Sequence, residues 1–409
     1  MDYPLDGLKI IDFSQAMMGP LATQMLADLG AEVIKVEKPQ GEAVRKGVAA
    51  GMEALLKEEE LSDSAMWLAN NRNKKDLALD IRKSEGKKIA LKLVAKADVM
   101  VENFRPGVME RLGLGYDDIS QVNPKIIYCS LSGWGQTGPK RNWAGGDMWA
   151  QAMSGLVSLG GELGDAPYMV PCQVADHTGA ALVAFAISTA LLIRERTGKG
   201  QKVTANSLDT AMFVQNPEIN TYLIDGKVIK KMGRGWALVP PPYGPLKASD
   251  GDILTIFGSG PQWPVFCDII EREDLKEDPR FATDEARIKN RREFYILMDE
   301  IFSRKTRAEW QKRFREARMR CDPCLTHDEL MADPQVEANE MVVSVKHPVR
   351  GEMKMLSLPV KFQGTPQLRD APPPLLGQHT EDILLGLGYT EEEIDSLSNE
   401  EVIKAFEEK

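Results

Sequence analysis

G-L-K-I-I-D-F at Gly7–Phe13 and A-E-V-I-K-V-E at Ala31–Glu37 are two apolar runs of strand length, separated by a segment of helical character at Pro20–Leu29. Two buried strands one helix apart form a βαβ unit, and that unit requires a parallel sheet. The turn between them carries Gly19–Pro20 but no G-x-G-x-x-G, so the dinucleotide fingerprint is missing, and no Walker A pattern occurs. The alternation continues outward. Leu77–Ile81 reads as a strand and Ser84–Ala97 as a helix. D-V-M-V-E-N-F at Asp98–Phe104 and K-I-I-Y-C-S-L-S at Lys125–Ser132 read as two more strands. This predicts a Rossmann-like, doubly wound α/β layer. Ligands of such sheets bind beyond the carboxyl ends of the strands. The loops there are Met17–Pro20, Lys38–Pro39, Asn103–Gly107 and Ser132–Pro139.

Further along, the texture changes. Pro240–Pro245 (P-P-P-Y-G-P) marks a domain entry. Gly251–Phe257 reads as a strand, followed by a glycine loop, Gly258–Ser259–Gly260–Pro261–Gln262, that leads into a helix. Close glycines permit tight backbone approach, although a lone G-x-G carries little by itself. Charge-rich helical stretches follow from Asp284 to Ala317. The expected division is a large domain over residues 1–220, completed by 340–409, and a smaller α+β domain over 221–339.

Composition narrows the function. The chain has 409 residues, enough for two domains with real cores. Lys+Arg number 51 against Asp+Glu 61, a net charge of −10, which argues against a general nucleic-acid binder. The acidic start Met1–Asp2–Tyr3–Pro4 has no apolar run, so no signal peptide is expected. Five scattered cysteines (Cys129, Cys172, Cys267, Cys321 and Cys324) suggest a reducing cytoplasm.

Three places invite chemistry. In P-C-Q-V-A-D-H-T-G (Pro171–Gly179) a single carboxylate, Asp176, precedes the apolar segment Gly179–Ile193. That segment is too short and Ala-rich for a membrane span and fits a buried helix ending at Arg194–Gly200. On local pattern Asp176 there reads first as an N-cap; the second reading, compatible with the first, is a nucleophile kept ionised by the helix dipole. Asn71–Lys75 (N-R-N-K-K) is either a phosphate cradle or a solvated turn. Cys321–Asp322–Pro323–Cys324 with His327 lacks a second ligand pair, so a turn is preferred to a metal site.

The chain resembles the family III CoA-transferases, the group that contains formyl-CoA transferase and the carnitine and bile-acid CoA-transferases. The motifs that carry the resemblance stand in the family's order. They are Gly7–Ser14 with Gly19–Pro20, Leu29–Glu37, Asn71–Lys75, V-E-N-F-R-P-G at Val101–Gly107, and S-G-W-G-Q-T-G-P at Ser132–Pro139. R-T-G-K-G-Q at Arg196–Gln201 and L-G-Q-H-T at Leu376–Thr380 complete the set. The resemblance implies that Asp176 is the catalytic carboxylate, passing through an aspartyl-CoA thioester. It implies that Gly258, Gly260 and Gln262 belong to a loop over the acyl intermediate. CoA-contacting positions of the family match Met17, Met18, Lys38, Arg72, Lys75, Asn103, Phe104 and Arg111. Met17 stands where formyl-CoA transferase has Gln, which implies a more apolar acyl pocket. The implied partners are an acyl-CoA and a small carboxylic acid, with coenzyme A as cosubstrate, no resident cofactor or metal, and neither nucleic acid nor membrane. The implied fold is a ring-like chain threaded through its partner in an interlocked homodimer.

Two rivals remain on the sequence. A 2-methylacyl-CoA racemase of the same fold needs two opposed proton-transfer groups. Its branch has a His before the Asp that matches Asp147, where this chain has Gly146. A non-catalytic CoA-binding protein would keep the basic loops without needing Asp176.

Overall fold

The computed structural model describes residues 3–46, 63–162, 164–256, 260–364 and 370–406. The first part alternates: β1 (Lys9–Asp12), α1 (Met18–Asp28), β2 (Glu32–Glu37), α2 (Ala65–Leu68), β3 (Lys74–Leu79), α3 (Ser84–Val94), β4 (Val99–Glu102), α4 (Val108–Leu112), α5 (Tyr116–Val122) and β5 (Ile127–Ser132). Then come α6 (Asp147–Met153), α7 (Leu156–Leu159), α8 (Val174–Thr197), β6 (Gln201–Asn206), α9 (Ser207–Val214) and α10 (Asn216–Asp225). β7 (Tyr243–Ala248), β8 (Gly251–Ile256), α11 (Trp263–Ile269), α12 (Asp284–Lys289), α13 (Arg291–Phe302), α14 (Arg307–Glu316) and β9 (Arg320–Pro323) follow. The chain ends in α15 (His327–Met331), α16 (Pro334–Ala338), β10 (Val342–His347), β11 (Gly351–Leu356), α17 (Thr380–Gly386), α18 (Glu391–Asn399) and β12 (Ile403–Lys404).

The main sheet runs β12-β3-β2-β1-β4-β5-β6. Its strands are parallel except β12, which pairs antiparallel to β3. Alternate residues feed opposite faces, as a period of two demands. Ile10, Val33, Val99, Val101, Ile127 and Cys129 pack with Ala22 and Leu26 of α1 and with Ala180, Val183 and Ile187 of α8. Their neighbours Ile11, Met100, Tyr128 and Leu77 pack with Ile89 and Leu93 of α3 and Ile383 of α17. Both faces are thus covered, which is why these strands read as continuous apolar runs. β1 pairs with β2 on one side and β4 on the other. The strand order reverses there, and a crevice opens beyond the carboxyl ends.

Two compact units divide the chain: Met1–Ser154, Cys172–Val214 and Glu337–Lys409 form the first, and Gly155–Pro171 with Gln215–Val336 the second. The second holds the antiparallel sheet β7-β8-β9 over an aromatic core of Trp263, Phe266, Phe294, Phe302, Trp310 and Phe314. Residues 155–171, expected in the large domain, belong instead to the second unit. Lys231 donates to the Asp165 carbonyl and Glu162 pairs with Arg234 at 3.5 Å, so the segment is tied to residues of its own unit.

α8 is longer than the apolar run suggested, 24 residues against Gly179–Ile193. Among the described residues it is the helix long and apolar enough, by length and composition, to cross a membrane. Ala175, Gly179, Ala180, Val183, Ile187 and Ala190 form its buried stripe at helical spacing.

Candidate active site

Asp176 lies in the first turn of α8, but it is not the cap. The capping position, Gln173, makes no side-chain capping hydrogen bond. Two free backbone donors of this turn go to Asp147, the first residue of α6. Its Oδ2 accepts from Ala175 N at 2.7 Å and Asp176 N at 3.1 Å. Its Oδ1 accepts from Gln151 Nε2 at 2.6 Å. A helix start needs such an acceptor; here a residue from another helix supplies it and leaves the Asp176 carboxylate unspent.

Three alanines, Ala150 of α6, Ala175 of α8 and Ala211 of α9, form a small buried cluster that lets these helices meet closely. Gly133 and Gly145 fix the approach. A Cβ on Gly133 would lie 2.6 Å from the Gly145 Cα, so neither position accepts a side chain without backbone movement. Trp134 Nε1 donates to the Ala144 carbonyl at 2.9 Å, and Leu208 N to the Gly133 carbonyl at 3.1 Å. The loop after β5 thereby positions Asp147 on one side and the start of α9 on the other. That start carries Ser207, whose Oγ reaches Asp176 Oδ1 over a long 3.4 Å.

Burial first, and the like charge of Asp147 second, push the Asp176 carboxyl up to about 6. These effects outweigh His177 and Ser207, which act the other way. The group is therefore largely ionised at neutral pH, yet weakly solvated and weakly hydrogen-bonded. Those are the conditions under which a carboxylate oxygen attacks an electrophilic carbonyl.

The crevice end of the sheet holds several of the expected contacts. Met18 opens α1, and its side chain packs on Gly179, one helical turn past Asp176. Met17 is buried, with its sulfur accepting from Asn70 Nδ2 at 3.3 Å, so it is already packed inside the protein. Lys38 is exposed just after β2, and Arg111 is exposed on α4. Asn103 and Phe104 follow β4. Glu102 before them is a buried carboxyl that burial pushes up to about 7. It accepts from Phe104 N at 2.9 Å and from Ser130 Oγ, and Ser130 in turn accepts from Gln136 Nε2 at 2.9 Å. Glu102 thus fixes both the Asn103–Phe104 turn and the loop after β5.

Two expected cations do not join them. Arg72 is buried: its guanidinium is held by Asp28 at 2.5 and 2.9 Å and donates to the Leu356 carbonyl. Three of its five N–H donors are thus committed to protein, and the group is buried with its own counter-ion. Lys75 lies near the amino end of β3 and pairs with Glu32, at the amino end of β2, at 2.6 Å. It lines a cavity of about 280 Å³ with Lys9, Glu32, Lys96, His379 and Ile383, at the end of the sheet opposite the crevice. The cation that stands just past the carboxyl end of β3 is Arg82, with a side chain 71% exposed and paired to Asp80. The sequence signal for it was available: it is the first cation after the strand Leu77–Ile81.

Gly258 lies outside the described residues. Gly260–Gln262 forms a single 3₁₀ turn before α11. Among the described residues no group of three or more His, Cys, Asp or Glu side chains converges to hold a metal.

Comparison with known proteins gives the family. The CoA-transferase family III profile matches residues 5–380. An acyl-CoA transferase of Fusarium pseudograminearum is 36% identical over 98% of this chain and 88% of its own length. The succinyl-CoA:glutarate CoA-transferase of Mus musculus is 35% identical over 99% and 92%. The crystal structure of a CAIB/BAIF family protein from Brucella suis superposes with a TM-score of 0.83 at 32% identity, covering 95% of this chain and 100% of that one. A carboxylate freed from its helix and a match along nearly the whole chain lead to one conclusion: the chain belongs to CoA-transferase family III and is a CoA-transferase.

Proposed function

We propose that the protein moves CoA from an acyl-CoA donor to a free carboxylic acid through covalent intermediates on Asp176. A carboxylate oxygen of Asp176 attacks the thioester carbonyl, and CoA leaves as a thiolate, giving an acyl-aspartyl anhydride. The thiolate attacks the aspartyl carbonyl, which releases the donor acid and leaves an aspartyl-CoA thioester. The acceptor carboxylate attacks that carbonyl and displaces the thiolate, which then takes the acceptor acyl group and restores Asp176. The thiolate must stay bound between steps, where effective molarities reach about 10⁵–10⁸ M.

The observation that carries this reading is the division of labour at α8: Asp147 caps the helix, so Asp176 is available. For the CoA phosphates we assign Lys38, Arg82 and Arg111, exposed cations at the crevice end of the sheet, with Phe104 and Met18 toward the acyl end. Gly258, Gly260 and Gln262 keep the role that the resemblance gives them, as residues of the family's glycine loop. The protein acts as an interlocked homodimer in a cytoplasmic setting. Exposed Trp149 and Met153 on α6, Phe185 on α8 and Phe213 on α9, and five unpaired cysteines, support these two assignments.

The test is Asp176→Ala. Transfer should disappear while the fold and CoA binding persist, and hydroxylamine should trap an aspartyl hydroxamate from the wild type incubated with acyl-CoA but not from the variant. Wild-type turnover by Asp176→Ala would sink the mechanism.

A further inference from the structure

The five residues between β1 and α1 are held far more tightly than an exposed turn requires. Gln15 and Ala16 are exposed, yet their backbone is gripped from two sides. The Asn103 side-chain amide accepts from Gln15 N at 2.8 Å and donates to Gln15 O at 2.7 Å, closing a ring with the backbone of one residue. Glu42 Oε2 accepts from Ala16 N at 3.0 Å. Ala16 has φ +65°, a left-handed conformation for a residue with a Cβ, and such strain persists where the surroundings over-determine it. Behind the turn, Glu42 is itself buried and fixed. Its Oε1 accepts from Trp67 Nε1 at 2.9 Å and lies 3.3 Å from Lys35 Nζ, and its own N–H donates to Glu37 Oε2 at 2.8 Å. Lys35, fully buried, also donates to the Ser14 carbonyl.

This turn delivers Met17 and Met18, and Met18 seats on Gly179, three residues past Asp176 on the same helix. A shift of the turn would move the wall beside the nucleophile. The two hydrogen bonds to Gln15 use one donor and one acceptor position of the Asn103 amide to hold the turn. We propose that Glu42 and Asn103 are positioning residues, which lock Gln15–Met18 against α8 and so set where a thioester carbonyl meets Asp176. The inference rests on Asp176 as the nucleophile.

The experiment compares Glu42→Gln and Asn103→Asp with wild type and with Asp176→Ala, reading melting temperature, CoA affinity by calorimetry, and kcat. In Glu42→Gln one amide oxygen can serve Trp67 and Lys35 or Ala16, but not both. In Asn103→Asp the donor to Gln15 O is lost and a carboxylate oxygen opposes that carbonyl. Misplacement by about 1 Å is enough to cost about a hundredfold in rate. Both variants should therefore lose about tenfold to a hundredfold in kcat, with CoA dissociation constants within about twofold of wild type. Asn103 lies at the surface of the crevice, so its variant carries the test even where Glu42→Gln fails to fold. Wild-type kcat in Asn103→Asp would overturn the proposal, as would weakened CoA binding at unchanged kcat, which makes Asn103 a CoA contact. Full activity of Asp176→Ala would instead remove the nucleophile reading on which the proposal stands.

Discussion

Replacing Asp176 by Asn should stabilise the protein at neutral pH, because the nucleophile is held in an environment that disfavours its charge. Its carboxyl titrates near 6 in the folded chain against an ordinary 3.8, a difference of about two units. At about 1.4 kcal/mol per unit, the ionised group costs the fold up to about 3 kcal/mol. Water that reaches the half-buried side chain lowers the expected gain to about 1–3 kcal/mol. Asn keeps the shape and can still accept from Ser207. The sign follows from linkage: a carboxyl whose folded value is raised binds its proton more tightly when folded. The penalty is therefore full above about pH 6, fades as the pH falls through the window from 6 to 3.8, and is gone below it. Thermal or urea unfolding of both proteins at pH 7.5 and pH 4 reads this directly. A rise in melting temperature of about 1–4 °C is expected at pH 7.5 and a much smaller one at pH 4. Equal melting at pH 7.5, or the same gain at both values, would refute the account of Asp176 as a destabilised charge.

The same titration governs turnover: kcat/KM should fall about tenfold per pH unit below about 6, as the nucleophile is protonated. Asp147→Asn removes the neighbouring like charge and should move this acid limb to lower pH; an unmoved limb would assign the whole shift to burial. Lys38→Ala and Arg82→Ala should each weaken CoA binding about tenfold by calorimetry, since charge-assisted contacts are worth about 1.5–3 kcal/mol. Arg72→Ala should leave CoA affinity unchanged but destabilise the protein by about 3–5 kcal/mol, because it strands Asp28 as a buried, unpaired charge. A CoA defect in Arg72→Ala without loss of stability would return Arg72 to the binding site.

The sheet was legible because its rule is local. Strands covered on both faces leave continuous apolar runs such as Val99–Val101 and Ile126–Cys129, and the helices between them carry one apolar stripe. The small unit was less legible. Residues 155–171 carry one short helix, α7, among Gly- and Pro-containing turns that resemble any loop, and pairs such as Glu162 with Arg234 tie them to the second unit.

At the site, the residues that local pattern misjudged are those whose partners lie far off in sequence. Arg72 and Arg82 are cations before and after β3, and position along the strand tells them apart, but the burial of Arg72 is set by no residue near it in sequence. Asp28, which takes Arg72 inward, is 44 residues away. Asp176 shows the same dependence with the opposite result. An Asp in the first turn of a helix ordinarily serves that helix, and the bond that would do so is satisfied by Asp147, 29 residues away. Capping from outside has a second effect. It places a negative charge beside the one it frees, so the arrangement that releases Asp176 also raises its proton affinity. A carboxylate that must attack, leave and attack again in one turnover gains from both: it is not tied to its helix, and it is more basic than an ordinary Asp while still ionised at neutral pH.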